Sequence, residues 1–450
     1  MSGTAANTAN RPYDAVVVGG GSGGIAFAKR AAHLGARVVL VEREALGGTC
    51  ANRGCVPKKL LWQAARTIRG ARDLHGENLS SGVPAFRMDA WRAAKDTKVQ
   101  SIRDSYAETL EEAGVTVMRG EAKIDGEGTV HMDDGRLAAE RVVLATGAQP
   151  VRLSFPGSEH MVVSNDVLSW DRLPRRMVVV GGGYIGCEFA TIFDALGVEI
   201  VLVDEDDALL AGFDSDAVEL ITDLLRRRSV KVLLETGPER IERNGDALIV
   251  HLKDGTRIDC DAAVCAVGRK PDLEALGAIA QSLETADNGT VRVDDSFRTS
   301  VEGVYAIGDV ADRMPLTPVA IRDGTALADL FWQETAVVPA DLDQVARAVF
   351  TMPPLAQVGS LDAPGADVAI SQSNPLQAGV LLSEHNAEGS QLHKLVRKDG
   401  RLQGAVLVAD DAPDAIGVLA SLVALSSDDT ALEMPVAIHP TFVEEFVGTN

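Results

Sequence analysis

The sequence predicts an α/β fold, because one strand–turn–helix–strand unit occurs twice along the chain. In the first copy an apolar, β-branched run, Tyr13 to Val18, leads into a glycine-rich turn, a helix pattern and a second strand that ends at Glu42. In the second copy a strand starting at Arg176 leads into a similar turn, and the next strand ends at Asp204. The last glycine of the turn precedes the acid by 18 residues in both copies. This is the element order of a Rossmann-like dinucleotide-binding domain.

Both turns follow the pattern Gly-x-Gly-x-x-Gly, which lets the backbone approach a pyrophosphate while the helix N-terminus favours its negative charge. The acid at the end of each second strand would accept hydrogen bonds from a ribose. One such pattern could be any glycine-rich turn, but two copies with equal spacing favour two nucleotide sites. The candidate residues are Gly19, Gly21, Ser22, Gly24 and Glu42 in the first copy and Gly181, Gly183, Gly186 and Asp204 in the second.

Cys50 and Cys55 follow the first unit and predict a redox-active pair. No second Cys/His pair with ligand spacing accompanies them, so zinc is disfavoured and no metal is expected. One helical turn would bring the two positions together, and a helix N-terminus with nearby lysines favours a thiolate. Two buried cysteines at a helix start are the alternative, which the nucleotide patterns disfavour. Together the features predict an electron path from a nicotinamide through flavin to a disulfide, with FAD in the first site because it is continuous with the dithiol.

The composition limits the partners. With 450 residues several domains are expected, and a formal charge of −22 disfavours nucleic acid and anionic membranes. Five cysteines do not make a secreted disulfide scaffold, and a cycling dithiol suits a reducing compartment. The start, 1–12, lacks an apolar core of a signal peptide, and no apolar run reaches the length of a membrane helix. We expect a cytoplasmic protein with a flexible tail over 1–12.

From about Tyr13 to Phe446 the chain resembles the class I flavoprotein disulfide oxidoreductases, the family of glutathione, trypanothione and mercuric reductases and dihydrolipoamide dehydrogenase. Besides the motifs above, three runs carry the resemblance: 145–147, 266–271 and 304–309. The resemblance implies that the first site holds FAD and the second the nicotinamide cofactor. It adds Thr49, Ala145, Thr146, Gly147 and Asp309 to the FAD residues, and Tyr184 and Gly268 to the nicotinamide residues. Ordinary packing at a helix start is the alternative for Tyr184.

The resemblance also implies a domain order and a dimer. An FAD-binding domain over 13–150 would be followed by an inserted nicotinamide-binding domain over 151–271. The chain would return to the FAD side over 272–341 and end in an α+β interface domain over 342–450. The implied assembly is an obligate homodimer with two-fold symmetry.

The resemblance assigns catalytic roles. Cys55 would face the flavin, and Cys50 would attack the substrate disulfide. His439 would act as acid/base across the dimer interface, oriented by Glu444 in the run His-Pro-Thr-x-x-Glu. Lys58 and Glu188 would form an ion pair beside the flavin, with Lys59 as the competing lysine.

The substrate contacts depart from those of glutathione reductases. Thr317 begins a Thr-Pro-Val-Ala run typical of the glutathione and trypanothione reductase branch, and Tyr106 matches a tyrosine of the substrate cleft. Thr325 and Lys29, however, stand where glutathione reductases carry arginines, and Phe442 adds bulk beside His439. Loss of a bidentate arginine weakens carboxylate binding by roughly 1.5–3 kcal/mol. We therefore expect a low-molecular-weight disulfide other than glutathione disulfide as substrate.

The acids after the second strand predict a preference for NADH. Relatives that use NADPH place arginines there, whereas Asp204 opens a run of four acids without a base. A ribose-binding acid accepts hydroxyls and repels a 2′-phosphate. A solvated loop could account for Asp206 and Asp207, but not for Asp204 at the strand end.

Two other functions stay open. Dihydrolipoamide dehydrogenase also uses NAD, and a flavin electron-transfer or redox-sensing protein could keep the fold without a disulfide substrate. A metal-detoxifying reductase is disfavoured because the chain ends without a vicinal cysteine pair.

Overall fold

The structure is a computed structural model that describes residues 12–76, 78–133, 135–311, 313–333, 340–373, 391–425 and 427. Its helices are α1 (Ser22–His33), α2 (Gly48–Arg53), α3 (Cys55–Gly76), α4 (Met88–Glu112), α5 (Ser164–Val167), α6 (Tyr184–Ala195), α7 (Ser215–Arg227), α8 (Thr317–Trp332) and α9 (Ala412–Ala424).

The strands, in chain order, are β1 (Tyr13–Val18), β2 (Val38–Glu42), β3 (Thr116–Arg119), β4 (Lys123–Ile124), β5 (Val130–Met132), β6 (Gly135–Leu137), β7 (Ala139–Leu144), β8 (Gln149–Pro150), β9 (Val162–Val163), β10 (Arg176–Val180), β11 (Glu199–Val203), β12 (Lys231–Leu233), β13 (Pro238–Asn244), β14 (Ala247–Leu252), β15 (Arg257–Cys260), β16 (Ala262–Cys265), β17 (Arg269–Lys270), β18 (Val304–Ala306), β19 (Arg347–Val349), β20 (Leu355–Gly359), β21 (Asp367–Ser373), β22 (Gln391–Lys398) and β23 (Arg401–Val408).

The chain forms two compact units. The first comprises 1–57, 94–149 and 269–340, and the second comprises 58–93, 150–268 and 341–450. Each unit contains one parallel sheet of the predicted type, so the predicted α/β fold class with two Rossmann-like cores is confirmed. The predicted boundaries at 150, 271 and 341 remain predictions.

The first unit is built on a parallel sheet in the order β18-β7-β1-β2-β3. Its central strands β1 and β2 are almost fully buried, which explains why they read as unbroken β-branched runs rather than alternating ones. Helices α1 and α8 pack closely against each other. A Cβ at Gly324 would lie 2.5 Å from the carbonyl oxygen of Gly23, so this contact requires a glycine. A small antiparallel sheet, β4-β5-β6, also belongs to this unit.

The second unit contains a matching parallel sheet in the order β12-β11-β10-β16-β9. An antiparallel hairpin sheet, β13-β14-β15, follows β12 in the chain. The C-terminal segment adds a five-stranded antiparallel sheet, β19-β20-β23-β22-β21, whose apolar face packs against α9. This α+β arrangement is the one predicted for the C-terminal domain.

No helix in the described part of the chain is long and apolar enough to cross a membrane.

Candidate active site

The first glycine-rich turn connects β1 to α1 and has no room for side chains at two positions. Gly19 has φ +110°, and a Cβ there would lie 2.4 Å from the carbonyl oxygen of Ala145. A Cβ at Gly24 would lie 2.0 Å from the carbonyl oxygen of Gly19. The turn can therefore close only with glycines, and it leaves the N-terminus of α1 open to a ligand.

Glu42, at the end of β2, fastens this turn to the sheet. One carboxylate oxygen accepts the backbone N–H of Gly20 at 2.7 Å, and the other accepts that of Glu44 at 2.7 Å. A carboxylate has lone pairs beyond these two bonds, so Glu42 can still accept a ribose hydroxyl.

A cleft opens over this turn within the first unit. All but one of the residues predicted for FAD line it, and Gly24 lies beneath the turn. The lining residues from that prediction are Gly19, Gly21, Ser22, Glu42, Thr49, Ala145, Thr146, Gly147 and Asp309. The hydroxyl oxygen of Thr146 is buried without a hydrogen-bond partner, and burial raises the pKa of Asp309, against the opposing charge of Arg269. Polar groups held in this way need a polar ligand, so the cleft fits FAD.

Arg269 is a site residue that the sequence motifs did not single out. Its Nη2 donates to the carbonyl oxygen of Ala148 at 2.5 Å and to the hydroxyl of Thr49 at 3.1 Å. One side chain thereby joins the end of the 145–147 turn to the residue that precedes Cys50. The only sequence signal was its place in the run 266–271.

The two cysteines lie on either side of a helix break. Cys50 is in the short helix α2, and Cys55 starts α3 after Gly54. Hydrogen bonding to Cys55 and then burial raise the pKa of the Cys50 thiol, while hydrogen bonds from Thr317 and Ser22 act in the opposite direction. The hydroxyl of Thr317 also lies 3.8 Å from the sulfur of Cys55. Thr317 therefore lies beside both cysteines of the predicted pair.

The exposures of the two cysteines differ from what the predicted roles suggest. Cys50, expected to be the sulfur open to substrate, is half-buried and lines the first cleft. Cys55, expected to face the flavin, is exposed. Their separate roles remain predictions.

Of the predicted substrate residues, Tyr106 and Thr317 lie beside the dithiol. Burial and then the charge of Cys50 raise the pKa of Tyr106, and its ring edge lies 3.0 Å from where a Cβ of Gly47 would be. Thr325 lies two helical turns beyond Thr317 on α8, where its hydroxyl donates to the carbonyl oxygen of Ile321 at 2.9 Å. Lys29 is half-buried on α1.

Lys58 and Glu188 form the predicted ion pair within the second unit. Nζ of Lys58 lies 2.8 Å from Oε1 of Glu188, which also accepts the backbone N–H of Phe350 at 2.9 Å. The competing residue, Lys59, instead places its ammonium over the rings of Phe350 and Trp62, and burial followed by the charge of Lys58 lowers its pKa. Lys58, and not Lys59, is thus the lysine that pairs with Glu188, and the position of this pair beside the flavin remains a prediction.

A second cleft lies over the second glycine-rich turn in the second unit. It is lined by Gly181, Gly183, Tyr184, Asp204 and Gly268 from the prediction, and Gly186 lies beneath, where a Cβ would meet the carbonyl oxygen of Gly181 at 1.8 Å. Tyr184 is 47% exposed at the start of α6, which disfavours ordinary packing.

The acids after β11 are fixed by two kinds of contact. Asp204 accepts the backbone N–H groups of Gly182 and Asp206. Glu205 pairs with Lys253, with Oε1 and Nζ 2.8 Å apart. Among the described residues that line this cleft, none is lysine or arginine. The second cleft therefore presents carboxylates, hydroxyls and backbone groups to a ligand.

His439, Glu444 and Phe442 lie outside the described residues, so their predicted roles stay predictions.

Comparisons with known proteins agree on the family. A family model described as pyridine nucleotide-disulphide oxidoreductase matches residues 13–324. The glutathione reductase of Burkholderia cepacia is 35% identical over 443 residues, covering 97% of this chain and 98% of that protein. The trypanothione reductase of Trypanosoma congolense is 31% identical over 475 residues, covering 97% and 95%.

A solved structure shares the fold. It is a cysteine-to-serine variant of the HOCl-induced flavoprotein disulfide reductase RclA from Escherichia coli, in a Cu(II) complex, with a TM-score of 0.85 and 24% identity over 97% of this chain and 98% of that one. The resemblance inferred from the sequence motifs is confirmed: the chain belongs to the pyridine nucleotide-disulphide oxidoreductase family and is a class I flavoprotein disulfide oxidoreductase.

Proposed function

We propose that this enzyme uses NADH, through FAD and the Cys50–Cys55 pair, to reduce a small-molecule disulfide other than glutathione disulfide. Membership of the family implies FAD and a pyridine nucleotide. The observation that carries the proposal is the placement of Cys50 in the lining of a cleft that fits FAD, with Cys55 one helix break away and Thr317 beside its sulfur. FAD, when bound, supplies the two-electron connection between the nicotinamide and the dithiol.

The chain's own residues would complete the reaction by thiol–disulfide exchange. Because the hydrogen bond with Cys55 and burial raise the pKa of the Cys50 thiol, His439 would accept its proton. The thiolate of Cys50 then attacks one sulfur of the substrate, a Cys50–substrate disulfide forms as the substrate S–S bond breaks, and the first thiol leaves with that proton. The thiolate of Cys55 then attacks the sulfur of Cys50, which closes the Cys50–Cys55 disulfide and releases the second thiol with another proton. The dithiol is oxidised and one substrate disulfide becomes two thiols. His439, oriented by Glu444 and supplied by the second subunit of a homodimer, would protonate the leaving thiolates.

Carboxylates at the second cleft support NADH as the reductant. Asp204 at the end of β11 has lone pairs left for a ribose hydroxyl, and it would repel a 2′-phosphate. The nearby cation, Lys253, is paired with Glu205. A 2′-phosphate would therefore meet negative charge without an unengaged lysine or arginine among the described lining residues.

The relatives named as glutathione and trypanothione reductases make glutathione disulfide the first substrate to test. Thr325 argues against it, because its hydroxyl is bonded to its own helix and it offers no positive charge to a carboxylate. We expect kcat/KM for glutathione disulfide to lie well below that for the natural disulfide.

Substitution at this position tests the substrate proposal. Thr325→Arg should raise kcat/KM for glutathione disulfide by roughly 10- to 100-fold, the value of a charge-assisted, bidentate contact. Thr325→Gln, which adds length without charge, is the matched control and should leave it unchanged. A wild-type kcat/KM for glutathione disulfide near the diffusion limit would contradict the proposal, and faster turnover of lipoamide than of any other disulfide would favour a dihydrolipoamide dehydrogenase.

A further inference from the structure

Asn52, between the two cysteines, makes an unusually large number of hydrogen bonds for one side chain. Its Nδ2 lies 3.3 Å from the carbonyl oxygen of Ala45, 3.1 Å from that of Leu46 and 2.9 Å from that of Gly48. These carbonyls belong to the segment that enters α2, the helix that carries Cys50. The side chain therefore ties the entry of this helix to its last turn.

The other end of the same amide is held by Arg103. Nε of Arg103, on α4, donates to Oδ1 of Asn52 at 2.6 Å. A guanidinium has donors only, whereas an amide has one acceptor and one donor group. Only the orientation with Oδ1 toward Arg103 satisfies both groups, so Arg103 determines which way the amide of Asn52 points.

The segment that Asn52 ties down has little stability of its own. Gly47 has φ +96° and Gly48 has φ +55°, and α2 contains only six residues. A helix this short is marginal without outside contacts. The position of Cys50 relative to Cys55 therefore depends on contacts made by the segment. The Arg103–Asn52 bond is one of them and comes from α4, while Ser22 of α1 and Thr317 of α8 hydrogen-bond to Cys50 itself.

We propose that Arg103 is a positioning residue for the dithiol: by orienting the amide of Asn52, it holds Cys50 where it can close a disulfide with Cys55. This inference rests on the proposed role of the two cysteines as a redox pair. Loss of Arg103 would let the 45–48 segment and α2 move, which lowers the effective concentration of one thiol at the other. The disulfide would then be less stable relative to the dithiol.

The test is the equilibrium between dithiol and disulfide in the purified, FAD-loaded chain. The protein is equilibrated in dithiothreitol redox buffers, quenched with an alkylating reagent and analysed by mass spectrometry for the Cys50–Cys55 disulfide. Arg103→Gln should shift the equilibrium about tenfold toward the dithiol, which for this two-electron couple is about 30 mV. Arg103→Lys, which keeps one donor and the charge, should recover most of the shift.

Two further variants separate positioning from general stability. Gln100→Ala removes a second side-chain partner of Arg103, whose Nη1 lies 3.4 Å from Oε1 of Gln100, but keeps the bond to Asn52, so it should match the wild type. If Arg103 acts through Asn52, then adding Arg103→Gln to Asn52→Ser should produce no further shift. A wild-type equilibrium in Arg103→Gln, even with a lower melting temperature, would overturn the inference. Absence of the disulfide in the oxidised wild type would instead overturn the proposed function.

Discussion

Glu42 and Asp204 make the same pair of hydrogen bonds at equivalent positions in the two parallel sheets. Glu42 accepts the backbone N–H groups of Gly20 and Glu44. Asp204 accepts those of Gly182 and Asp206, so in both sheets one donor is a glycine of the turn and the other lies two residues after the acid. The repeat is therefore one of side-chain contacts as well as of sequence spacing. It supports two nucleotide sites of the same construction, one in each compact unit.

Substitution of the most closely packed glycine in each turn should show which cofactor each site binds. In Gly24→Ala and Gly186→Ala the new methyl group would lie 2.0 Å and 1.8 Å from a carbonyl oxygen of its own turn. We expect Gly24→Ala to purify without FAD. Gly186→Ala should keep FAD but lose roughly 100-fold in the rate of flavin reduction by NADH, since small displacements of a binding turn have effects of this size. Flavin absorbance of the purified variants and stopped-flow reduction measure both effects, and each variant is the control for the other. Normal FAD content in Gly24→Ala would contradict the assignment of the first cleft.

Glu205 should contribute to discrimination against NADPH by neutralising Lys253. Glu205→Gln removes the partner of this lysine at the cleft and should raise kcat/KM for NADPH by about tenfold, as expected for a newly available charge-assisted contact to phosphate. Asp207→Asn removes the same charge from an exposed position outside the cleft lining and is the matched control. An equal gain in both variants would mean that net charge, rather than Lys253, sets the preference.

The buried ion pair of Lys58 and Glu188 should matter for stability. Their side chains are only 15% and 5% exposed, so Glu188→Gln leaves an ammonium without its charge partner in a buried place. Breaking such a pair typically costs about 3–5 kcal/mol. Equilibrium urea unfolding should show a loss of this order for Glu188→Gln. Lys59→Gln removes an ammonium that lies over aromatic rings and forms no salt bridge among the described residues, so it should lose about 1 kcal/mol or less. Similar losses in the two variants would show that the pairing of Lys58 is not the stronger interaction.

Asp309 should lower the stability of the apo protein and strengthen the binding of FAD. Burial raises the pKa of its carboxyl group in the folded protein, so the ionised form weakens the fold, and this effect grows as the pH rises through that pKa. Apo Asp309→Asn should therefore melt at a higher temperature than apo wild type near neutral pH, and the difference should shrink in acid, where the wild-type carboxyl is protonated. The same variant should bind FAD more weakly in a fluorescence titration. A lower melting temperature at neutral pH would show that the attraction to Arg269 outweighs the cost of burial.

The sequence predicted those parts of the site that depend on local patterns. The turns at Gly19 and Gly181 need left-handed backbone, which favours glycine. The buried strands that flank them favour β-branched residues. Both features can therefore be recognised in a short stretch of sequence. The ion pair of Lys58 and Glu188 was found only through family resemblance, because the two residues are 130 positions apart.

The remaining contacts could not be read in this way. Arg103 reaches Asn52 across 51 positions, and Arg269 reaches Thr49 across 220. Both are arginines in polar surroundings, where a charged residue usually lies at the surface, and only the packing of separate elements brings them to the dithiol. Their roles therefore emerge from tertiary structure rather than from periodicity or motif.

The central claim, that electrons pass from NADH to the Cys50–Cys55 pair, is tested most directly by stopped-flow absorbance. Purified, FAD-loaded protein is mixed separately with NADH and with NADPH, and the long-wavelength band of thiolate–flavin charge transfer is followed. We expect the band to form rapidly with NADH, much more slowly with NADPH, and not at all in Cys55→Ser. Bleaching of the flavin by NADH without this band in the wild type would contradict the account, because the cysteines would then lie outside the path of the electrons.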